Sequence, residues 1–142
     1  MAVKVELSEE IERPVGVVFS WYADDHVRNH PRWDPNIELW LDAEASIGVG
    51  TIIRRRNSRS GKPVEGTMEV VEYEPNEAIG MLIHDGPMEV RGRATFESVG
   101  PEVTKLTLIA DIPGLDDSMQ TPMTDAIGGS LRTIKELIES ET

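Results

Sequence analysis

The sequence predicts an α+β domain in which a curved antiparallel sheet of about seven strands packs on a long C-terminal helix. Near the N-terminus, Val3, Val5 and Leu7 alternate with charged residues, which is the period of a strand with one buried face. From Ile37 onward, turn residues recur about every ten positions. Near the C-terminus, apolar residues recur at helical spacings of three and four. That apolar stripe requires burial, and the apolar face of such a sheet is large enough to provide it.

Two short helices are predicted after the first strand. The strand ends near Ile11, and Pro14 suits the first position of a helix whose apolar residues between Val17 and Tyr22 share one face. Residues 25–36 contain two prolines, which exclude a long regular element. A short helical turn and a loop are therefore predicted there.

Six further β-rich segments follow, separated by short turns. Even spacing with short connections predicts an antiparallel meander, because parallel strands need crossovers of about a dozen residues or more. The predicted spans are Glu38 to Asp42, Thr51 to Ser58, Val64 to Tyr73, Ala78 to His84, Met88 to Ser98 and Val103 to Ile112.

Two consecutive glycines lie inside the predicted C-terminal helix, which starts near Pro122 and ends near Ser140. Gly128 and Gly129 cost about 2 kcal/mol relative to two alanines. Close approach of the helix to a ligand or to the sheet would explain them, and so would a bend in the helix. We expect one of these features at the glycine pair.

Length and composition restrict the class of protein. A chain of 142 residues suits a single domain, residues 1–142, that forms its own core. It has no cysteine, which excludes disulfides and thiolate chemistry, and no leader or long apolar run that would predict export or membrane insertion. Its net charge of -12 opposes binding to nucleic acid or anionic lipid. We therefore expect a cytoplasmic monomer or homodimer, and nothing in the sequence implies a cofactor.

The order of the elements and several short segments resemble the START-related lipid-transfer superfamily, also called SRPBCC, and within it the bacterial polyketide cyclase/dehydrase-like group. The resemblance covers nearly the whole chain. It rests on the first strand leading into a Pro-initiated helix and on four further segments: Asp24 to Pro35 with its His-Pro-Arg-Trp-Asp-Pro run, Gly50-Thr51, Val70 to Pro75, and Gly92 to Phe96. It implies the helix-grip fold. Members include aromatase/cyclases and carriers of lipids or quinones, so the fold alone leaves the function open.

The resemblance implies a cavity between the sheet and the C-terminal helix that binds a small apolar or aromatic metabolite. The residues expected to line it are Met68, Met81, Ile83, Met88, Val90, Phe96, Met123 and Ile127. Flexible methionine side chains adapt to varied apolar ligands, although core packing explains them equally well. Trp33, Trp40 and Tyr73 are expected to shape the mouth. The alternative for Trp33 is packing of the short helices on the rim of the sheet.

A catalytic member of this group requires polar groups in its cavity. The resemblance implies cyclisation, dehydration or aromatisation of a polyketide-like or other enolisable substrate. Arg54 or Arg56 would stabilise developing charge, and His84 or Tyr73 would carry a proton.

Strand alternation leaves the direction of these side chains open. Arg55 must point opposite to Arg54 and Arg56, and the run either places a guanidinium on the concave side or is solvated. If Ile83 faces the cavity, His84 faces solvent, so the alternative to a general base is a solvated turn histidine.

A second pair of histidines has the spacing of metal ligands. His26 and His30 are four residues apart, as two ligands on one helical face would be. The glutamate of the zinc-protease pattern is missing and Pro31 follows at once, so the alternative is a capped loop with surface histidines. We predict no metal site.

Three functions therefore remain open: a cyclase-like enzyme, a carrier of a lipid, quinone or toxic metabolite, and a protein-interaction module with a filled core. Convergent polar groups in a cavity would favour the enzyme, and a uniformly apolar cavity would favour the carrier.

Overall fold

The structure is a computed structural model that describes residues 2–41 and 46–142. Within these residues, seven antiparallel strands form one sheet in the order β1-β7-β6-β5-β4-β3-β2. The strands are β1 (Val3–Ile11), β2 (Ile37–Trp40), β3 (Ile52–Asn57), β4 (Val64–Glu74), β5 (Ala78–Asp85), β6 (Met88–Gly100) and β7 (Val103–Ile112). The predicted curved sheet and its meander are confirmed. The predicted end of the second strand at Asp42 lies outside the described residues.

Three α-helices accompany the sheet in the described part of the chain. Helix α1 (Val15–Phe19) continues into a π-helical turn (Ser20–Asp24), which leads directly to α2 (His26–Trp33). A single 3-10 turn (Asp117–Met119) precedes the long helix α3 (Gln120–Glu141). The two short helices and the long C-terminal helix are confirmed.

Helix α2 is longer than the single turn predicted for this stretch. It continues through Pro31 to Trp33, and the N–H of Asp34 donates to the carbonyl of His30 over 3.1 Å. A proline inside a helix removes one backbone hydrogen bond and crowds the preceding turn, but here only two helical residues follow it. The expected short helical turn is therefore corrected to an eight-residue helix, and the loop is limited to residues 34–36.

Helix α3 runs alongside β1 and in the same direction. Gln120 Nε2 donates to the carbonyl of Lys4 over 2.9 Å, and Lys135 Nζ donates to the carbonyl of Glu10 over 2.6 Å. The C-terminal half of the helix is packed against the sheet, where its buried residues are Leu131, Ile134 and Ile138. The N-terminal half is less buried, which leaves space between this half and the sheet.

An aromatic cluster fills the core beneath α1. Phe19 meets Phe96 and Tyr73 edge to face, with ring centroids 5.0 and 5.5 Å apart. Phe96 is therefore a core residue, and its expected place in the cavity is corrected. Tyr73 packs against the same core, and its hydroxyl donates a hydrogen bond to Asp24. This bond and partial desolvation raise the pKa of Tyr73 to about 12, which does not suit the proton carrier expected from the sequence.

Candidate ligand-binding cavity

A cavity of about 450 Å³ lies between the concave face of the sheet and the N-terminal half of α3. This volume is within the range of small-molecule sites, about 300–1,000 Å³. Most of the wall is apolar and is contributed by Met68, Ile79, Met81, Ile83, Met88, Val90, Leu108, Ile112, Leu115, Met119, Met123 and Ile127. The strands supply the residues up to Ile112, because alternate residues of each strand point to the same face. The other four come from the segment after β7 and from α3.

Most residues that the sequence predicts as ligand-binding lie on this wall: Trp33, Met68, Met81, Ile83, Met88, Val90, Met123 and Ile127. Their binding role stays a prediction. Trp40 lies elsewhere, on the outer face of the sheet, where the guanidinium carbons of Arg54 and Arg56 sit 5.5 and 5.7 Å from its ring centroid. Trp40 pairs with Arg54 across β2 and β3, so both side chains share that outer face and the expected mouth position of Trp40 is corrected.

One end of the cavity is polar and is built around Arg55. Arg55 Nε donates to Asp85 Oδ1 over 2.8 Å and Arg55 Nη2 donates to Asp85 Oδ2 over 3.0 Å. Asn57 Nδ2 also donates to Asp85 Oδ2, over 3.0 Å. The side chains of Arg55 and Asp85 are only 9% and 8% exposed, so this is a buried bidentate ion pair with an additional hydrogen bond.

The Arg55–Asp85 ion pair lies over a glycine, Gly66, on the strand between the two residues. Arg55 on β3 is paired with Gly66 on β4, and Gly66 is paired with Asp85 on β5, so the three residues form one row across the sheet. A Cβ atom at Gly66 would lie 1.9 Å from the carbonyl oxygen of His84 and 2.8 Å from Asp85 Oδ1. The missing side chain therefore leaves the room in which the two charged side chains meet.

The polar residues that the sequence predicts as catalytic face away from this end. Arg56 is on the outer face and pairs with Glu38 and Glu65 there, over 3.5 and 3.0 Å. Arg54 shares that face. His84 is exposed and its Nε2 lies 3.4 Å from Glu89 Oε1. This is the direction that strand alternation predicts for His84 when Ile83 lines the cavity. The inward direction of Arg54, Arg56 and His84 is corrected, and Arg55 is the member of this run of three arginines that faces the cavity.

His26 and His30 also line the cavity, and they are joined to each other. His26 Nδ1 donates to the carbonyl of Tyr22 over 2.9 Å, and His26 Nε2 lies 3.0 Å from His30 Nδ1. Burial lowers the pKa of His26 to about 4, and burial together with the charges of His26, Arg55 and Arg59 lowers the pKa of His30 well below its usual value. Both rings are therefore neutral at neutral pH.

Neutrality fixes the tautomers of the two rings. A carbonyl only accepts, so His26 carries its proton on Nδ1 and its Nε2 accepts from His30 Nδ1. The remaining nitrogen, His30 Nε2, then carries a free lone pair, and no described group bonds to it. His26 is only 2% exposed, so the expected pair of surface histidines is wrong. In the described residues, no three His, Asp or Glu side chains are grouped to hold a metal ion.

An aromatic wall adjoins the polar end. The ring of Trp33 stacks on Tyr22 with centroids 5.3 Å apart and on His30 with centroids 4.9 Å apart. Trp33 thus packs the short helices together and also lines the cavity. Tyr22 lines the cavity too, and no described group bonds to its hydroxyl. Next to this wall, an ion pair between Asp34 and Arg59 joins α2 to the loop before β4.

Sheet, C-terminal helix and cavity together define the helix-grip class of ligand-binding proteins. The chain belongs to the family described as polyketide cyclase / dehydrase and lipid transport, which matches residues 2–139. The predicted family and fold class are therefore confirmed. No curated protein matches the sequence.

Several solved structures share this fold. A START superfamily protein from Mycobacterium smegmatis is 19% identical with a TM-score of 0.71, covering 96% of this chain and 94% of its own. The Zhui aromatase/cyclase from Streptomyces sp. R1128 is 14% identical with a TM-score of 0.68, covering 98% and 94%. The protein Ara h 8.0201 is 14% identical with a TM-score of 0.77, covering 99% and 100%. At these identities the likeness shows the fold alone. Among the described residues, no helix is long and apolar enough to cross a membrane.

Proposed function

We propose that this protein binds one small, mostly apolar, aromatic metabolite in the cavity between the sheet and α3. The observation that carries this proposal is a cavity of about 450 Å³ whose wall is apolar at one end and aromatic and polar at the other. Such a site buries the apolar body of a ligand and orients it through a few polar groups.

The methionines support a carrier role for this cavity. Met68 and Met81 are buried in the wall, while Met88 and Met119 line it from exposed positions, 44% and 36% exposed. Flexible thioethers at the rim can separate to admit a ligand and then pack on it. A protein-interaction module with a filled core would leave no such space, so the cavity argues against that alternative.

A second candidate function is cyclase-like catalysis. It is favoured by the lone pair of His30 Nε2 and the hydroxyl of Tyr22, both on the cavity wall. An enolisable substrate folded in the cavity could give a proton to His30 Nε2 while the wall excludes water. Burial raises the pKa of Tyr22, so its hydroxyl would keep its proton and donate a hydrogen bond to a substrate carbonyl. Replacing His30 with Phe should then abolish turnover of an enolisable polyketide-like substrate while leaving most of its binding affinity, and unchanged turnover would remove this candidate.

Titration with a neutral aromatic fluorophore, N-phenyl-1-naphthylamine, tests the binding proposal. We expect saturable one-site binding with increased fluorescence. Gly92 lies on the wall, and a Cβ there would be 3.9 Å from Ile83 Cδ1, so Gly92→Leu fills the cavity and should weaken binding at least about tenfold. Thr67→Leu adds the same kind of side chain to the exposed outer face and should leave affinity unchanged. Equal binding by both variants would place the fluorophore outside the cavity and contradict the proposal.

A further inference from the structure

The chain of hydrogen bonds that starts at the Tyr22 carbonyl determines what a ligand meets at the polar end. That chain passes through the ring of His26 and ends on the ring of His30. Each ring donates from Nδ1, so the group presented to the cavity by His30 Nε2 is a hydrogen-bond acceptor. Its ligand partner must therefore be a donor.

The charges of the cavity wall restrict the ligand further. Among the described residues, every charged side chain on the wall has an ion-pair partner; these side chains are Asp34, Arg55, Arg59, Asp85 and Arg93. A ligand carboxylate or ammonium would find no unpaired counter-ion there and would lose its hydration, which is costly in a buried site. The polar end therefore suits a neutral donor.

The surroundings of His30 determine what carries that donor. His30 stacks on Trp33, and Trp33 stacks on Tyr22, so the acceptor nitrogen is part of an aromatic wall. Aromatic rings pack favourably on such a wall in stacked or edge-on arrangements. A hydroxyl attached directly to an aromatic ring combines the neutral donor with the matching surface.

We propose that the cavity selects phenol-type ligands and that His30 Nε2 accepts the hydrogen bond from the phenolic hydroxyl. This inference rests on the proposed binding function and names the ligand class and the residue that selects it. The low proton affinity that burial gives His30 is consistent with it, because a protonated ring would donate at both nitrogens.

The test compares 2-naphthol with 2-methoxynaphthalene, which replaces the hydroxyl proton with a methyl group. Dissociation constants are measured by displacement of N-phenyl-1-naphthylamine. The wild-type protein should bind 2-naphthol about tenfold more tightly, the effect of one buried hydrogen bond. His30→Phe keeps a stacking ring and removes the acceptor, and the preference should fall to about twofold or less.

His30→Phe also leaves His26 Nε2 without its hydrogen-bond donor, which could destabilise the fold. A second variant that keeps this donor therefore completes the test. His30→Asn can still donate to His26 and has no acceptor at the position of Nε2, so it should lose the same preference. Equal affinities in the wild type, or a preference that persists in either folded variant, would overturn the inference and leave the proposed binding function intact. Failure of the fluorophore itself to bind would overturn the binding function and the inference with it.

Discussion

At the scale of single residues, the Arg55–Asp85 ion pair depends on the missing side chain of Gly66. The two charged residues are on strands that are not paired with each other, and their side chains meet over the strand between them. Any larger residue at Gly66 would occupy that space and would also meet the backbone of the next strand.

Gly66→Ala should therefore lower the free energy of unfolding by about 3 kcal/mol or more, because the added Cβ would lie 1.9 Å from the His84 carbonyl oxygen and the strands would have to move. Urea denaturation measures this change. Gly92→Ala is the matched control on β6 of the same sheet, where the Cβ would be 3.9 Å from Ile83 Cδ1. It should change stability by less than about 1 kcal/mol. Similar stabilities of the two variants would contradict the role given to Gly66.

Asp85→Asn should cost about 3–5 kcal/mol of stability, because it leaves the buried guanidinium of Arg55 without a counter-ion. Glu65→Gln removes the same charge from the exposed ion pair with Arg56 and should cost less than about 1 kcal/mol. Thermal or urea unfolding compares the two variants. If Asp85→Asn is as mild as Glu65→Gln, the charges at the polar end are well solvated and the pair does not hold β3 to β5.

At the scale of elements, α3 serves two purposes along its length. Its residues Met123 and Ile127 line the cavity, and from Leu131 onward its apolar stripe is buried on the sheet. Gly128 and Gly129 fall between these halves of one continuous helix. A Cβ at Gly128 would make ordinary contact with Leu7 Cδ1 at 3.6 Å, so neither glycine is required by close packing in the described structure.

Gly129→Ala should stabilise the protein by about 1 kcal/mol, because alanine loses less backbone entropy in a helix. For a domain of this size the melting temperature should rise by about 3 °C. Gly128→Ala should act in the same direction, with Leu7 limiting the gain. A lower melting temperature for Gly129→Ala would mean that the helix has to bend at this point, the other explanation that the sequence leaves open.

The π-helical turn separates two neighbouring aromatic residues. Trp21 is buried and its Nε1 donates to Glu141 Oε1 over 3.1 Å, whereas Tyr22 faces the cavity. The sequence predicts that both share one face of a regular helix. The wider turn changes the angle between successive side chains, so one ring fixes the end of α3 and the next is available to a ligand.

At the scale of the whole molecule, Glu141 joins the C-terminal end of the chain to the helices near its beginning. Its carboxylate accepts hydrogen bonds from Arg32 on α2 and from Trp21 on the π-helical turn. These bonds lower the pKa of Glu141 from 4.5 to about 2. The folded state therefore holds this carboxylate charged at pH values where the unfolded chain takes up a proton.

The stabilising effect of Glu141 should be complete above about pH 4.5 and lost as the pH falls toward about 2. Glu141→Gln should be less stable than the wild type at pH 7, and the two free energies of unfolding should converge across that interval. Glu136→Gln removes a charge from an exposed position of the same helix and should shift the wild-type profile little. Parallel pH profiles of the wild type and Glu141→Gln would contradict the coupling.

The sequence alone determined the order of the elements, the class of fold and most of the apolar wall. These features depend on local periods: alternation assigns Met81, Ile83 and Val90 to one face of their strands, and helical spacing assigns Met123 and Ile127 to one stripe. A period needs no knowledge of distant residues, so it can be detected in a short segment.

The tertiary structure decided the polar end of the cavity. Alternation shows that Arg55 opposes Arg54 and Arg56, but only the folded sheet, in which Arg55 meets Asp85 beside the cavity, decides which of the two faces is the concave one. An irregularity between Val70 and Glu72 shifts the alternation of β4 and turns Tyr73 into the core, which the even pattern of the sequence does not reveal. His26 and His30 face the cavity because α2 packs beside it, with Trp33 stacked on His30 and on Tyr22. Each of these outcomes depends on contacts between segments that are far apart in the chain, and a local pattern carries no information about them.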